Sequence, residues 1–169
     1  MDGDDLHPPE NVTKMSEGIP LNDDDRWPWL YRIRQEGVHA CKQYEEPIHG
    51  EESKQRGVVI GCSALKKSYR KVLRGEELPP RMNADSAVND PPMFPTRFVF
   101  IHGERDELFK RMFTRKGHYM KPQMLESQLA TLEAPDPNEE DGIIIVDLLD
   151  STETQLQKAL EGLRIGGSS

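Results

Sequence analysis

The sequence has little of what several specialised protein classes require. Its two cysteines, Cys41 and Cys62, are too few for a disulfide framework and match no zinc-ligand spacing. A reducing, cytoplasmic setting is therefore expected. Residues 1–25 are polar and acidic, so no secretory leader is expected, and no apolar run approaches the ~20 residues needed to span a bilayer. Positive charge is also short, with 22 Lys+Arg against 30 Asp+Glu and a net charge of −8. That balance argues against a broad basic face for nucleic acid or an anionic membrane. The five histidines show no metal-ligand spacing, and neither a Ser/His/Asp nor a Cys/His arrangement can be argued. The phosphate-cradling loop G-x-x-x-x-G-K-[ST] is missing as well. The nearest pattern, Gly57-Val58-Val59-Ile60-Gly61, leads into Cys62-Ser63 with no lysine in place, and its apolar filling reads as a buried strand.

What is present is one ordinary domain's worth of chain, 169 residues, enough for a sizeable core if all of it is globular. With 31% charged residues and a mean hydropathy of −0.74, long polar stretches must dilute that core. Pro9 and Gly18 bracket a short helix over about 9–16. Asp23, Asp24 and Asp25 open a second, with Pro28 in its first turn and Leu30, Ile33, Gly37, Ala40, Cys41 and Tyr44 at helical spacing. Apolar runs at 58–62, 98–101 and 143–146 read as three strands buried on both faces. Helices are expected over 66–73, 106–115 and 124–133. A last helix is signalled by a Thr152/Gln155 capping box and a stripe of Leu156, Ala159, Leu160 and Leu163. The proline-rich stretch 75–96 reads as a surface insertion and 166–169 as a flexible tail. Alternating helices and wholly apolar strands predict an α/β fold, a parallel sheet with helices on both faces. Ligands of such sheets sit at the carboxyl ends of the strands.

The polar residues after each expected strand are therefore the chemical candidates. Lys66, Lys67 and Arg70 follow the 58–62 run, where an anion or a transferring phosphoryl group would be held. Cations at a helix N-terminus oppose its dipole, so their placement asks for a reason. A solvated basic helix start is the plain alternative. Asp2-Gly3-Asp4 places two carboxylates at alternate positions, a pattern suited to Mg²⁺ held through water and to orienting a hydroxyl. An acidic disordered terminus is the other reading. Arg111 and Arg115 lie one helical turn apart, a spacing that grips phosphates or serves in surface salt bridges.

Taken together and in order, these elements closely resemble gluconate kinase, a family of P-loop kinases related to shikimate and adenylate kinases. The resemblance rests on Asp2-Gly3-Asp4-x-x-His7-Pro8 and Lys14-Met15. It continues through Gly18-Ile19-Pro20-Leu21-Asn22-Asp23-Asp24-Asp25-Arg26, Pro28-Trp29-Leu30 and Cys62-Ser63-Ala64-Leu65-Lys66-Lys67-x-Tyr69-Arg70. Arg115-Lys116-Gly117-His118 and Met124-Leu125-x-Ser127-Gln128-x-x-Thr131-Leu132-Glu133 complete it. The resemblance implies a P-loop kinase fold and ATP- and Mg²⁺-dependent phosphorylation of D-gluconate to 6-phospho-D-gluconate, in sugar-acid catabolism. It further implies that Asp2 supports Mg²⁺ through water, while Asp4 binds and aligns a substrate hydroxyl. Arg26, Lys66 and Arg70 would face the sugar-acid carboxylate or the moving phosphoryl group. Arg111 would lie under the adenine, Arg115 and His118 would belong to the lid, and Gln128 would shape the substrate side. Of these, Asp4, Lys66 and Arg115 would carry catalysis. The implied partners are gluconate and ATP, with a homodimer as the family's common assembly.

In that family a strand, the phosphate loop, a helix and a second strand precede the Asp-x-Asp element. Residues 1–165 are thus expected to be one gluconate kinase domain, N-terminally truncated, with weak or no activity of its own. The alternative is a non-catalytic gluconate-binding or regulatory remnant of such a kinase. The sheet is expected to show a gap or a non-native pairing, or to leave apolar strand residues exposed.

Overall fold

The computed structural model describes residues 1–43, 57–80, 94–114 and 122–165. The chain forms two compact units, Met1–Phe94 and Pro95–Ser169. In the first unit, helix α1 spans Pro9–Glu17, α2 spans Asp23–Gln43 and α3 spans Lys67–Arg74. Pro9 opens α1, and Gly18 closes it at φ 80°. Its N–H donates to the Met15 carbonyl (3.0 Å), while that of Ile19 donates to the Lys14 carbonyl (2.8 Å). A left-handed residue is needed there, and glycine adopts that conformation without steric penalty. Pro28 lies inside α2 rather than in its first turn. The helix begins earlier than its apolar periodicity suggested, because the three aspartates extend it toward the N-terminus.

The core of this unit is α2 against α3. Trp29, Leu30 and Ile33 from α2 meet Tyr69, Val72 and Leu73 from α3, all at most 7% exposed. Each large side chain so buried contributes about 1.5–3 kcal/mol.

The run at 58–62 does not form the expected buried strand. Residues 57–60 are irregular, and Val59 is 87% exposed. Among the described residues its backbone pairs with the first residues of the chain, through a single parallel bridge between Asp2 and Gly61, while Ile60 packs near Gly37 of α2. The Met1 amino group donates to the Val59 carbonyl (2.9 Å). The Gly61 N–H donates to the Met1 carbonyl (3.1 Å), and the Gly3 N–H to the Gly61 carbonyl (2.8 Å). Among the described residues no ladder forms on its other side, and Val59 is left open.

The second unit is built on β1 (Phe98–His102) and β2 (Ile143–Asp147), with α4 (Arg105–Thr114), α5 (Pro122–Thr131) and α6 (Thr152–Ile165). The strands pair in parallel from Phe98 opposite Ile143 to His102 opposite Asp147. The α/β class with a parallel sheet is thus borne out. Burial on both faces is not, since Val99 is 44%, Ile101 51% and Ile145 45% exposed.

Helix α6 lies on β2 so closely that a Cβ on Gly162 would sit 2.7 Å from Ile144 Cγ1. Its expected stripe is largely unburied: Leu156, Leu160 and Leu163 are 57%, 43% and 43% exposed, and only Ala159 is half-covered. Two strands at a spacing of about 5 Å are scarcely wider than one helix of about 10 Å diameter, so one flank of α6 overhangs the sheet. The cap of α6 also differs from expectation. Ser151 Oγ accepts from the Thr154 N–H, while Gln155 Nε2 donates to the Asp147 carbonyl (2.7 Å).

Candidate functional site

In the first unit the acidic start is ordered. Asp2 pairs beside Gly61, and its Oδ1 accepts from the Asp4 N–H at 3.0 Å. Gly3 has helical angles, φ −68° and ψ −24°, and Asp4–Leu6 form one 3-10 turn. The two carboxylates therefore do not alternate along an extended strand as expected; the chain bends at Gly3. Space forces the choice of residue, because a Cβ at Gly3 would lie 2.6 Å from the Gly61 carbonyl oxygen. Trp29 Nε1 fixes the bend by donating to the Gly3 carbonyl at 2.7 Å.

His7 stacks on Trp29, with ring centroids 4.2 Å apart and planes 10° from parallel. Its Nδ1 faces Asn11 Nδ2 at 3.2 Å, and the same amide donates to the Asp25 carbonyl at 2.8 Å. Since an amide nitrogen only donates, the histidine carries its proton on Nε2 by this assignment. Burial, and then the charge of Arg26, push the His7 pKa down to about 4. It is a neutral packing residue at neutral pH. Burial, and then Asp4, push the Cys62 thiol up to about 11, so it is not a thiolate nucleophile.

The acids at the start of α2 and the cations before α3 form one cluster. Lys66 Nζ donates to both oxygens of Asp23, at 2.8 and 2.7 Å, and the buried Tyr69 hydroxyl donates to Asp23 Oδ1. Lys66 Nζ stands 5.6 Å from the Tyr69 ring centroid, and Trp27 packs edge-on to that ring at 5.0 Å. These hydrogen bonds, that of Lys66 foremost, hold the Asp23 carboxyl below the usual carboxylate range. Asp25 caps the same helix start reciprocally with Asn22 and binds Lys14 at 2.6 Å. Burial pushes Asp25 upward, but the bonds from Lys14 and Asn22 outweigh it and leave its pKa lowered.

Of the three cations expected at a substrate anion, two are buried. Arg26 is 6% exposed, donates from Nε to the Leu21 carbonyl (3.4 Å) and has its pKa lowered by burial. Arg70 is 2% exposed and donates from Nη1 to the carbonyls of Ala64 (3.0 Å) and Leu65 (3.4 Å). It braces the loop that carries Lys66. Only Lys66, its side chain 25% exposed, presents charge toward solvent. Asp23 and Tyr69 were missed as site residues. Both stand in the motifs that carry the family resemblance, but neither was given a role there, and Asp23 was otherwise read only as a helix-dipole acid.

In the second unit Arg111 Nη2 donates to the Leu148 carbonyl (2.7 Å), just after β2, and its Nε lies 3.3 Å from Glu107 Oε1. Gln128 is half-buried on α5. Arg105 ties the start of α4 to α5 through Glu126 at 2.6 Å. Arg115 and His118, the expected lid residues, lie outside the described residues.

Whether these residues suit the cofactors the resemblance implies differs between the two. Mg²⁺ keeps several waters and needs only one or two carboxylates. The exposed Asp2 and Asp4 on one bend fit such a hydrated ion, although no cluster of three or more ligating side chains exists among the described residues. Nucleotide phosphates fare otherwise, because the 169 residues contain no loop of backbone amides with its lysine.

The parallel strand pair, the acids on a bend and the cation before a helix are compatible with the acceptor side of a small-molecule kinase of the P-loop type. No protein-family profile matches the sequence. The chain is 40% identical over 158 residues to a "Probable gluconokinase" of Saccharomyces cerevisiae, covering 94% of itself and 70% of that protein. It is 45% identical over 145 residues to a "Probable gluconokinase" of Schizosaccharomyces pombe, covering 86% of itself and 64% of that protein. A crystal structure of a gluconokinase from Sinorhizobium meliloti superposes with a TM-score of 0.68 at 40% identity, over 98% of this chain and 76% of that one. The chain belongs to the gluconokinase family. No helix among the described residues is long and apolar enough to cross a membrane.

Proposed function

We propose that this chain serves the phosphorylation of D-gluconate to 6-phospho-D-gluconate by ATP, and that the first unit carries the sugar-acid side of that reaction. The observation that carries this reading is gluconokinase kinship across 94% of the chain. In it, Asp4 binds and aligns the acceptor hydroxyl, and Asp2 supports Mg²⁺ through water. Lys66 meets the substrate carboxylate or the moving phosphoryl group. Arg26 and Arg70 contribute positive charge from buried positions, Arg70 through the loop that sets Lys66. Gln128 shapes the substrate side, Arg111 belongs to the adenine, and Arg115 with His118 to the lid. A cytoplasmic homodimer is the setting this reading favours. The loop motif that cradles ATP phosphates is not among these 169 residues.

That same gap favours a second reading, a gluconate-binding chain without turnover. Calorimetric titration of the 169-residue chain with D-gluconate tests the sugar-acid side that both readings share, and a coupled assay for 6-phosphogluconate tests the argument about the phosphate loop. Gluconate binding weakened at least about tenfold, or about 1.4 kcal/mol, by Lys66→Ala is expected. Only trace turnover is expected from this polypeptide. Absence of gluconate binding overturns the proposal, and full turnover overturns the argument about the phosphate loop.

A further inference from the structure

The Asp23 cluster performs more than the kinase reading of this site requires. Lys66 faces solvent beside the start of α3, and both Asp23 oxygens neutralise it. An incoming anion that uses Lys66 must share it with a carboxylate whose own side chain is 47% exposed. For a bare anion that approach is repulsive, since two like charges would crowd one ammonium. A polyhydroxy acid differs because its hydroxyls are donors. A carboxylate offers about four acceptor positions, and Lys66 and Tyr69 take three of them, two on Oδ1 and one on Oδ2. Oδ2 retains acceptor capacity on an exposed side chain. Tyr69, buried in the α2–α3 core and flanked by Trp27, donates to Oδ1 and so restrains the carboxylate.

We propose that Asp23 is a specificity-determining residue: it screens Lys66 from simple anions and accepts a hydroxyl of the sugar acid, admitting polyhydroxy carboxylates over inorganic anions. This rests on the reading of the first unit as the sugar-acid side. Discrimination of this kind combines a repulsive element against the wrong ligand with an attractive one for the right ligand. A plain counter-ion at the start of α3 would supply only the first.

The test is calorimetric titration of the full chain and of Asp23→Asn with D-gluconate and with inorganic phosphate at low ionic strength. Opposite shifts are expected. Asp23→Asn weakens gluconate binding about tenfold and tightens phosphate binding several-fold. Weakening of both ligands reduces Asp23 to a structural support, and tightening of both reduces it to a competing counter-ion. Unchanged affinities remove it from the site. Each of these three results overturns the proposal while leaving the gluconate reading intact. Failure of the unaltered chain to bind gluconate overturns both. Should Asp23→Asn fail to fold, carboxyl ¹³C NMR of the unaltered chain decides, with the resonance assigned through Asp23→Glu. Gluconate must move the Asp23 signal and phosphate must not; equal movement or none refutes the proposal.

Discussion

His7 links buried structure to acid stability in a way that can be worked through. Its ring is 7% exposed and stacked on Trp29, and its pKa lies near 4 against an ordinary 6.5. Between those two values the unfolded chain binds a proton at this residue and the folded chain does not. Stability therefore rises with pH across the window, is complete above pH 6.5, and is lost as pH falls toward 4. At about 1.4 kcal/mol per pH unit the interval corresponds to roughly 3 kcal/mol, and relaxation of the folded state brings the expectation to about 2–3 kcal/mol. Both tryptophans, Trp27 and Trp29, lie in the first unit, so their fluorescence in urea reports that unit's unfolding. With a slope of about 1 kcal/mol per molar urea, the midpoint should fall by roughly 2 M between pH 6.5 and pH 4. His7→Phe keeps a stacked ring and removes the titration. Its constant offset is immaterial, but its midpoint should fall much less across the same window. Parallel midpoint curves for the two proteins refute the reasoning.

Other outcomes follow from close contacts and lowered carboxyl pKa values. Asp23 and Asp25 have folded pKa values below 3.8, so their contribution is present above that pH and is lost as pH falls through the folded values. A second acid phase below the His7 window is expected in the same fluorescence series, and it should shrink in Asp25→Asn. Gly3→Ala drives a Cβ to 2.6 Å from the Gly61 carbonyl, a backbone atom that cannot swing aside. A loss of about 1–3 kcal/mol is expected in the tryptophan-monitored urea midpoint. Gly162→Ala sets helix propensity, worth about 1 kcal/mol in favour of alanine, against a 2.7 Å contact with the β-branched Ile144. The clash should win, seen as faster hydrogen exchange in β2 and α6 peptides.

Much of the fold was legible because its signals are local. The Pro9 and Gly18 bracket, the aspartates before α2 and the apolar runs of β1 and β2 each fix a backbone preference within a few residues. The run at 58–62 is as apolar as β1 and β2, yet among the described residues it pairs through one bridge. Whether an apolar run becomes a strand depends on a neighbour to complete its ladder, which composition does not encode. The leucines of α6 mislead for a related reason: periodicity predicts a stripe but not the width of the sheet beneath it. Arg26, Lys66 and Arg70 were all recognisable as cations near a site, but their division of labour was not. Burial of two and exposure of one is decided by α2 packing on α3.

By itself, then, the amino-acid order determined the α/β class, most helix boundaries and membership in a kinase family. It did so because capping residues, apolar periodicity and ordered motifs act over short stretches of chain. Tertiary structure alone decided that Gly3 bends the acidic start instead of extending it, that His7 stays neutral and that Asp23 faces Lys66. Residues 23 and 66 meet only when α2 and α3 pack. The electrostatics of a site depend on such distances and on burial, which arise from residues far apart in sequence.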